Sequence, residues 1–197
     1  MVPTHQGRAA ERILFESLDV RGRRVLSNTL FDTTQANCEA NGGIATNIPV
    51  GEARQPSSTF PFKVSEAGSV SRHSGPCSHR RCAQGNIDLD ALAGHLRNPS
   101  EVACCVFTVT NNSGGGQPAT LANITAASSL CRAAGVPIIL DACRFAENAW
   151  FIKQGEAHYA DASIPQIARA MFDVRPPPHC CASHHLLNQA ISLPTHP

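Results

Sequence analysis

The run Val102 to Thr110, VACCVFTVT, constrains this chain more than any other stretch: nine residues without a charge, rich in β-formers. It lacks the alternation of a half-exposed strand, so both of its faces ask for cover. That is the habit of a strand inside a parallel sheet flanked by helices. The residues after it agree. NNSGGGQP breaks the chain, Thr120 to Ala134 carries a helical pattern that stops at Gly135, and Val136 to Leu140 is a second apolar run ending against Asp141. Strand, helix, strand in that order, with a connection long enough to cross over, predicts a parallel α/β sheet.

The remaining pattern supplies more helices than strands. Gly7 to Leu18 has apolar residues at Ala10, Ile13, Leu14 and Leu18, one stripe of an amphipathic helix entered through the turn PTHQGR. Arg24 to Ser27 and Gly43 to Val50 read as short strands around a polar segment, FDTTQANCEANGG. Helices are predicted at Asp88 to Leu96, near Glu147 to Gln154 and at Ile164 to Phe172; Trp150 and Phe151, beside Ile152, are expected in the core. Two segments stand apart: Val64 to Gln84 and Val174 to Pro197 have no sustained period and are rich in Ser, Pro, His and Cys.

Composition narrows the function classes. A chain of 197 residues with 42% hydrophobic content has material for one full core. Its net charge of +1 and its 16% of charged residues argue against nucleic acid or an anionic membrane as partner. No run approaches a membrane span and the N-terminus lacks a signal-peptide core, so the chain reads as soluble and cytoplasmic. Nine cysteines, an odd number irregularly spaced, do not suit a secreted disulfide framework. Lys63 and Lys153 are the two lysines, so any lysine chemistry has two candidates.

Ligands of open parallel sheets bind beyond the carboxyl ends of the strands, which is where Asp141 and the loop Asn111 to Pro118 fall. THQGR opening a helix is an anion site in outline: Gly7 allows close approach, free N–H groups face the ligand, and Arg8 can bind it bidentately. Taken alone, it reads equally as an ordinary helix start with a solvated arginine, and Asp141 as a cap or a loop carboxylate. A buried Asp141 would need a positive partner, either Arg144 or a protonated ring nitrogen, and the residues alone leave both open.

Five longer stretches go further. PTHQGRAAE, SNTLFDTTQANCEANGG, FK joined to GNIDL, TNNSGGGQPATLANI and DACRFAENAWFIKQGEAHYADASI resemble, in this order, the tryptophanase branch of the β-eliminating lyases, fold-type I pyridoxal-phosphate enzymes. The sister branch, tyrosine phenol-lyase, shares the framework, but FDTTQ and RFAENAWFIKQ look closer to tryptophanase. The resemblance covers Val2 to Lys63 and Gly85 to Asp173. It implies a three-layer α/β/α sandwich with a mostly parallel sheet, in which residues 1–63 and 85–173 form part of the cofactor-binding large domain.

The resemblance also implies roles. Gln6, Gly7 and Arg8 would hold the phosphate of pyridoxal 5′-phosphate, and Phe31 would stack on its ring. Asn112 would bond its phenolic oxygen and the substrate carboxylate, and Arg144 would lie near the same oxygen. Asp141 would pair with the ring nitrogen, keeping protonated the ring that serves as electron sink. Asp32, where the phenol-lyases have a threonine, would mark an indole leaving group. His5 lies in the matched motif and reads equally as a site residue or a solvated one. The reaction would be L-tryptophan plus water giving indole, pyruvate and ammonia, in a homotetramer activated by potassium.

The sequence also departs from the family. The Schiff-base lysine of the family sits in an SGKKD-like motif beyond the stretch matching Phe172, and after Asp173 the similarity gives way to VRPPPHCC. Lys153 matches a different family position, and Lys63 precedes the insertion. The cation ligands, a catalytic tyrosine and a substrate-binding arginine of the family have no counterparts. A catalytically inactive fragment, binding the cofactor non-covalently or joining full-length subunits, is therefore the alternative reading. Residues 64–84 read as an in-frame retained intron: valine codons begin GT, glutamine can be CAG, and removal restores FKGNIDL. Residues 174–197 form a tail unrelated to the family, and Val174 could open a second such segment. A third reading takes Cys77, His79, Cys82, His179, Cys180, Cys181, His184 and His185 as zinc ligands; their spacing fits no standard finger, and no metal site is expected.

Overall fold

The computed structural model describes residues 2–54, 85–174, 179–181 and 189–191. The elements in chain order are β1 (Val2–Thr4), α1 (Gly7–Ser17), β2 (Arg24–Ser27), α2 (Asp32–Ala40), β3 (Ile44–Asn47), α3 (Leu89–His95), β4 (Val102–Thr108), α4 (Leu121–Ala133), β5 (Ile138–Asp141), α5 (Phe145–Gly155), α6 (Ile164–Phe172), β6 (His179–Cys181) and β7 (Gln189–Ile191). The seven strands form one sheet in the order β1-β7-β6-β5-β4-β2-β3. Neighbours from β3 through β6 are parallel, while β7 runs antiparallel to both β6 and β1.

β4 lies inside the sheet between β2 and β5, and all seven of its residues are buried, as its unbroken apolar run requires. Its side chains divide between two cores. Val102, Cys105 and Phe107 join Leu26, Ile138 and Leu140 under α3, α4, α5 and α6. Ala103, Cys104 and Val106 join Val25 and Ile139 under α1 and α2. Adjacent Ala103 and Cys104 share a face because the pairing with β2 skips a residue: Arg24 stands opposite Val102, and Val25 opposite Cys104. This bulge restores the alternation for the rest of the strand. Two helical layers on one sheet make the α/β/α sandwich.

Chain direction reverses beside β2. From β2 the chain passes through α2 to β3 on one side; β4 then pairs on the other side of β2, and α4 leads on to β5. A constant crossover hand demands that the connecting helices change face at such a reversal. They do, since Cys38 of α2 packs in one core and Ile124 and Ala127 of α4 pack in the other. The carboxyl ends of β2 and β4 therefore flank a topological switch point.

The helix stop at Gly135 is realised with a positive φ of 68°, and α6 begins on a full capping box between Ser163 and Gln166. Three features differ from the expectation. FDTTQANCEANGG contains α2, a helix that buries only Thr34 and Cys38 and so has too narrow an apolar face to announce itself. Trp150 is 52% exposed, although Ile152 is buried as expected, because two helical steps of about 100° put them on nearly opposite faces. Strands β6 and β7 fall within the tail read as irregular; both are three residues long, too short to show a period.

The insertion Val64 to Gln84, Lys63, and the zinc candidates Cys77, His79, Cys82, His184 and His185 lie outside the described residues; of His179, Cys180 and Cys181 only the backbone course is described. The flanks of the insertion are joined. Val50 N–H donates to Asn86 O at 3.3 Å, Asp88 N–H donates to Ile48 O at 2.9 Å, and Pro49 bridges Ile87.

Candidate functional site

The switch point is stitched by one buried amide. Asn28, just after β2, donates through Nδ2 to Thr108 O and Gly85 O, both at 2.7 Å, and accepts from Thr108 N–H at 2.9 Å. It thereby closes the ends of β2 and β4 and ties them to the segment after the insertion. Gly85 has no room for a side chain: a Cβ there would collide with Gln117 O and lie 2.6 Å from Pro118 O.

Asp141 is the last residue of β5, opposite Thr108 of β4. Its carboxylate accepts from Cys143 N–H at 3.3 Å. Burial, helped by the nearby Glu11 carboxylate, pushes its pKa up to about 6; bonds from Cys143 and Thr108 pull the other way without prevailing. Among the described residues no arginine, lysine or histidine forms an ion pair with it. Arg144 points elsewhere, which closes one of the two alternatives left by the sequence. Its Nη1 donates to Thr110 O at 3.2 Å and to Asn112 Oδ1 at 3.3 Å.

Asn112 and Arg144 are thus brought together from a loop after β4 and from the turn after β5. The loop has a defined shape. Asn111 accepts from Ser113 N–H at 3.0 Å, donates to Thr29 O, and its carbonyl receives Gly116 N–H at 2.8 Å. Gly115 and Gly116 have φ of 76° and 69°, a course that the glycine run permits.

The other sequence-derived positions open helices. Gln6 is the N-cap of α1, with extended backbone and no side-chain cap, and no acid occupies the first turn. Gly7 and Arg8 come next, so the positive end of an 11-residue helix meets neither a capping side chain nor an acid of its own first turn. His5 and Arg8 are exposed. Phe31 is the half-buried N-cap of α2, and Asp32, exposed, accepts from Thr33 N–H at 2.6 Å. Arg144 is the N-cap of α5. All three of these caps lack a capping bond, whereas α3, α4 and α6 are capped by Asp88, Thr120 and Ser163. Local helix rules lapse where the candidate site lies, as they do where residues serve a site instead.

Glu11 links these parts and was not singled out from the sequence, although it ends the PTHQGRAAE stretch. Its two oxygens accept from Thr34 Oγ1 at 2.5 Å and from Asn37 Nδ2 at 2.8 Å, holding α1 to α2, while its charge acts on Asp141. Asn28 lies in SNTLFDTTQ and was equally unassigned. Lys153 is engaged away from the site, donating to Ala160 O at 2.9 Å and Ala162 O at 2.6 Å. Cys143 is no nucleophile: burial and the Asp141 carboxylate push its thiol up to about 12.

The family model described as beta-eliminating lyase matches residues 1–184. A tryptophanase of Rhodobacter capsulatus is 45% identical over 175 residues, covering 88% of this chain and 34% of that protein. The tryptophanase of Salinibacter ruber is also 45% identical, over 87% of this chain and 32% of its own length. That of Escherichia coli O9:H4 is 36% identical over 87% of this chain and 34% of its own. A pyridoxal-phosphate-bound C-S lyase of Staphylococcus hominis gives a TM-score of 0.48 at 12% identity, over 71% of this chain and 29% of that one. The chain spans about a third of the length of the curated relatives it matches. With a family match that runs through every described element but the last strand, the chain belongs to the beta-eliminating lyases.

Proposed function

We propose that this chain is the electron-sink portion of a pyridoxal-phosphate-dependent lyase that splits L-tryptophan into indole, pyruvate and ammonia. The observation that carries the reading is Asp141: a desolvated carboxylate at a strand end, without a cation among the described residues and raised to about 6. Such a group is costly by itself and suited to a buried cationic ring nitrogen. The cofactor, when bound, supplies a sink for the charge left when the α-proton of the substrate departs.

The residues divide the work. Asp141 would keep a proton on the ring nitrogen, because its buried negative charge favours the cationic form of the ring. The open first turn of α1, at Gln6, Gly7 and Arg8, suits the phosphate, where N–H groups and a guanidinium meet an anion without a competing acid. Phe31, at the entry to α2, would supply an aromatic ring for the cofactor to stack on. Arg144 would donate to the phenolic oxygen and Asn112 would orient there, and the 3.3 Å bond between them holds the two side chains together. Asn112 would also receive the substrate carboxylate, and Asp32 would bear on the leaving group. The tryptophanase names of the relatives favour indole over phenol; a homotetramer and potassium activation rest on the family resemblance alone.

Proton abstraction from the substrate requires a lysine; Lys153 is bonded to two carbonyls away from the site, and Lys63, outside the described residues, precedes the insertion and matches no Schiff-base position of the family. We therefore read the 197-residue chain as binding the cofactor without covalent capture and without turnover. The test is to titrate purified chain with pyridoxal 5′-phosphate, treat it with borohydride, and assay indole from tryptophan and phenol from tyrosine. Saturable binding with no pyridoxyl mass trapped is expected. Indole release would overturn the inactive-fragment reading, phenol release the choice of tryptophan, and absence of binding the cofactor assignment.

A further inference from the structure

One fully buried polar side chain beside the site has no part assigned to it. Asn148, on α5, uses all of its bonding capacity. Its Oδ1 accepts from Thr110 Oγ1 at 3.0 Å and from Ala119 N–H at 2.9 Å; its Nδ2 donates to Ala119 O at 3.0 Å and to Met171 Sδ at 3.4 Å. Thr110 and Ala119 are the two stems of the loop that carries Asn112, so a single amide staples both ends of that loop to one helix.

The staple has a strained residue to hold. Thr110 has a φ of 51°, in the left-handed region where a β-branched side chain is rare and costly. Its hydroxyl is taken by Asn148 and its carbonyl by Arg144. Arg144 and Asn148 are four residues apart at the start of α5 and present the same side of that helix. Two consecutive turns thus grip Thr110 from its side chain and its backbone. The turn at Thr110 leads directly through Asn111 to Asn112, whose Oδ1 meets the same guanidinium.

We propose that Asn148 is a positioning residue: it keeps Thr110 in its left-handed conformation and so sets Asn112 against Arg144. The consequence for a ligand rests on the proposed cofactor, whereas the clamp itself does not. Asn148 touches no reacting atom and acts through Thr110.

Hydrogen-exchange mass spectrometry of the purified chain tests it. Asn148→Ala is expected to speed exchange across 110–119 about tenfold, with peptides from β4 and β5 unchanged. Adding Thr110→Gly to Asn148→Ala should restore most of the protection, because glycine holds a positive φ without a clamp. A merely structural role for Asn148, as packing in the core, predicts no such rescue. Unchanged exchange at 110–119 in Asn148→Ala, or no recovery on adding Thr110→Gly, overturns the proposal. If Asn148→Ala loosens the whole sheet, Thr110→Ala and Thr110→Gly with Asn148 in place decide: alanine must loosen the loop and glycine must not, and equal effects overturn it.

Titration with pyridoxine 5′-phosphate, which has the ring, the phosphate and the phenolic oxygen but no aldehyde, supplies the second arm. Weaker binding by Asn148→Ala and recovery in the double variant are expected. Failure of the unsubstituted chain to bind would count against the cofactor reading, with the exchange result still deciding the clamp.

Discussion

Glu11 on α1 and Asp141 at the end of β5 are two acids held at the same rim of the sheet, and the charge of the first raises the proton affinity of the second. Glu11 cannot swing away, being fixed by Thr34 and Asn37 of α2. Burial is the larger cause and Glu11 adds to it, which brings Asp141 to about 6. Between about pH 4 and 6 the folded chain keeps a proton that the unfolded chain releases, so stability falls as pH rises through that window. Above about 6 the loss is constant.

Asp141→Asn removes that loss. It is expected to stabilise the chain by on the order of 2 kcal/mol at about pH 8, several degrees in Tm, and to change little at about pH 4. Thermal melts of both chains at the two pH values check this. On the proposed role of Asp141, the same substitution should weaken pyridoxine 5′-phosphate binding at least about tenfold, because the ring nitrogen would lose its ionic partner. A gain in stability with a loss of binding separates a site residue from a structural one.

Gly85→Ala and Asn28→Ala should both open the switch point. The added Cβ of the first meets two backbone carbonyls, which cannot turn aside as a side chain could. The second leaves the N–H and carbonyl of Thr108 without their partner in the interior. Each is expected to cost about 2–4 kcal/mol, read from the urea midpoint at unchanged slope.

Lys153→Met removes two bonds that tie α5 to the carbonyls of Ala160 and Ala162. A loss of about 1–2 kcal/mol in stability is expected, with pyridoxine 5′-phosphate affinity unchanged within a factor of about two. Pyridoxyl mass trapped on Lys153 by borohydride in the parent chain would show that this lysine does reach the cofactor.

Removing residues 64–84 joins FK to GNIDL, and we propose that this shorter form is the properly spliced one. The flanks are already bonded between Val50 and Asn86, so deletion shortens a closed loop and should raise stability by under about 1 kcal/mol. Denaturant melts of the deleted chain check the energetics. Transcript sequences crossing both borders check the splicing, and uninterrupted cDNA encoding the segment would overturn it.

The interior strand β4 was legible in the amino-acid order, because nine uncharged residues from Val102 to Thr110 call for cover on both faces. So were α4, its stop at Gly135 and the bounds of α6, where local capping and turn chemistry act within a few residues. Asp141 at a strand end was legible too, since a carboxylate closes an apolar run. That Arg144 serves Asn112 and leaves Asp141 without a cation emerges only from the folded chain. The choice depends on where a loop 32 residues away comes to rest. Nor could sequence show that Thr110 is left-handed, that Asn148 is its clamp, or that Glu11 is the charge felt by Asp141. These are contacts between elements distant in the chain, settled by strand order and by the helix faces that the sheet brings together, and no local periodicity records them.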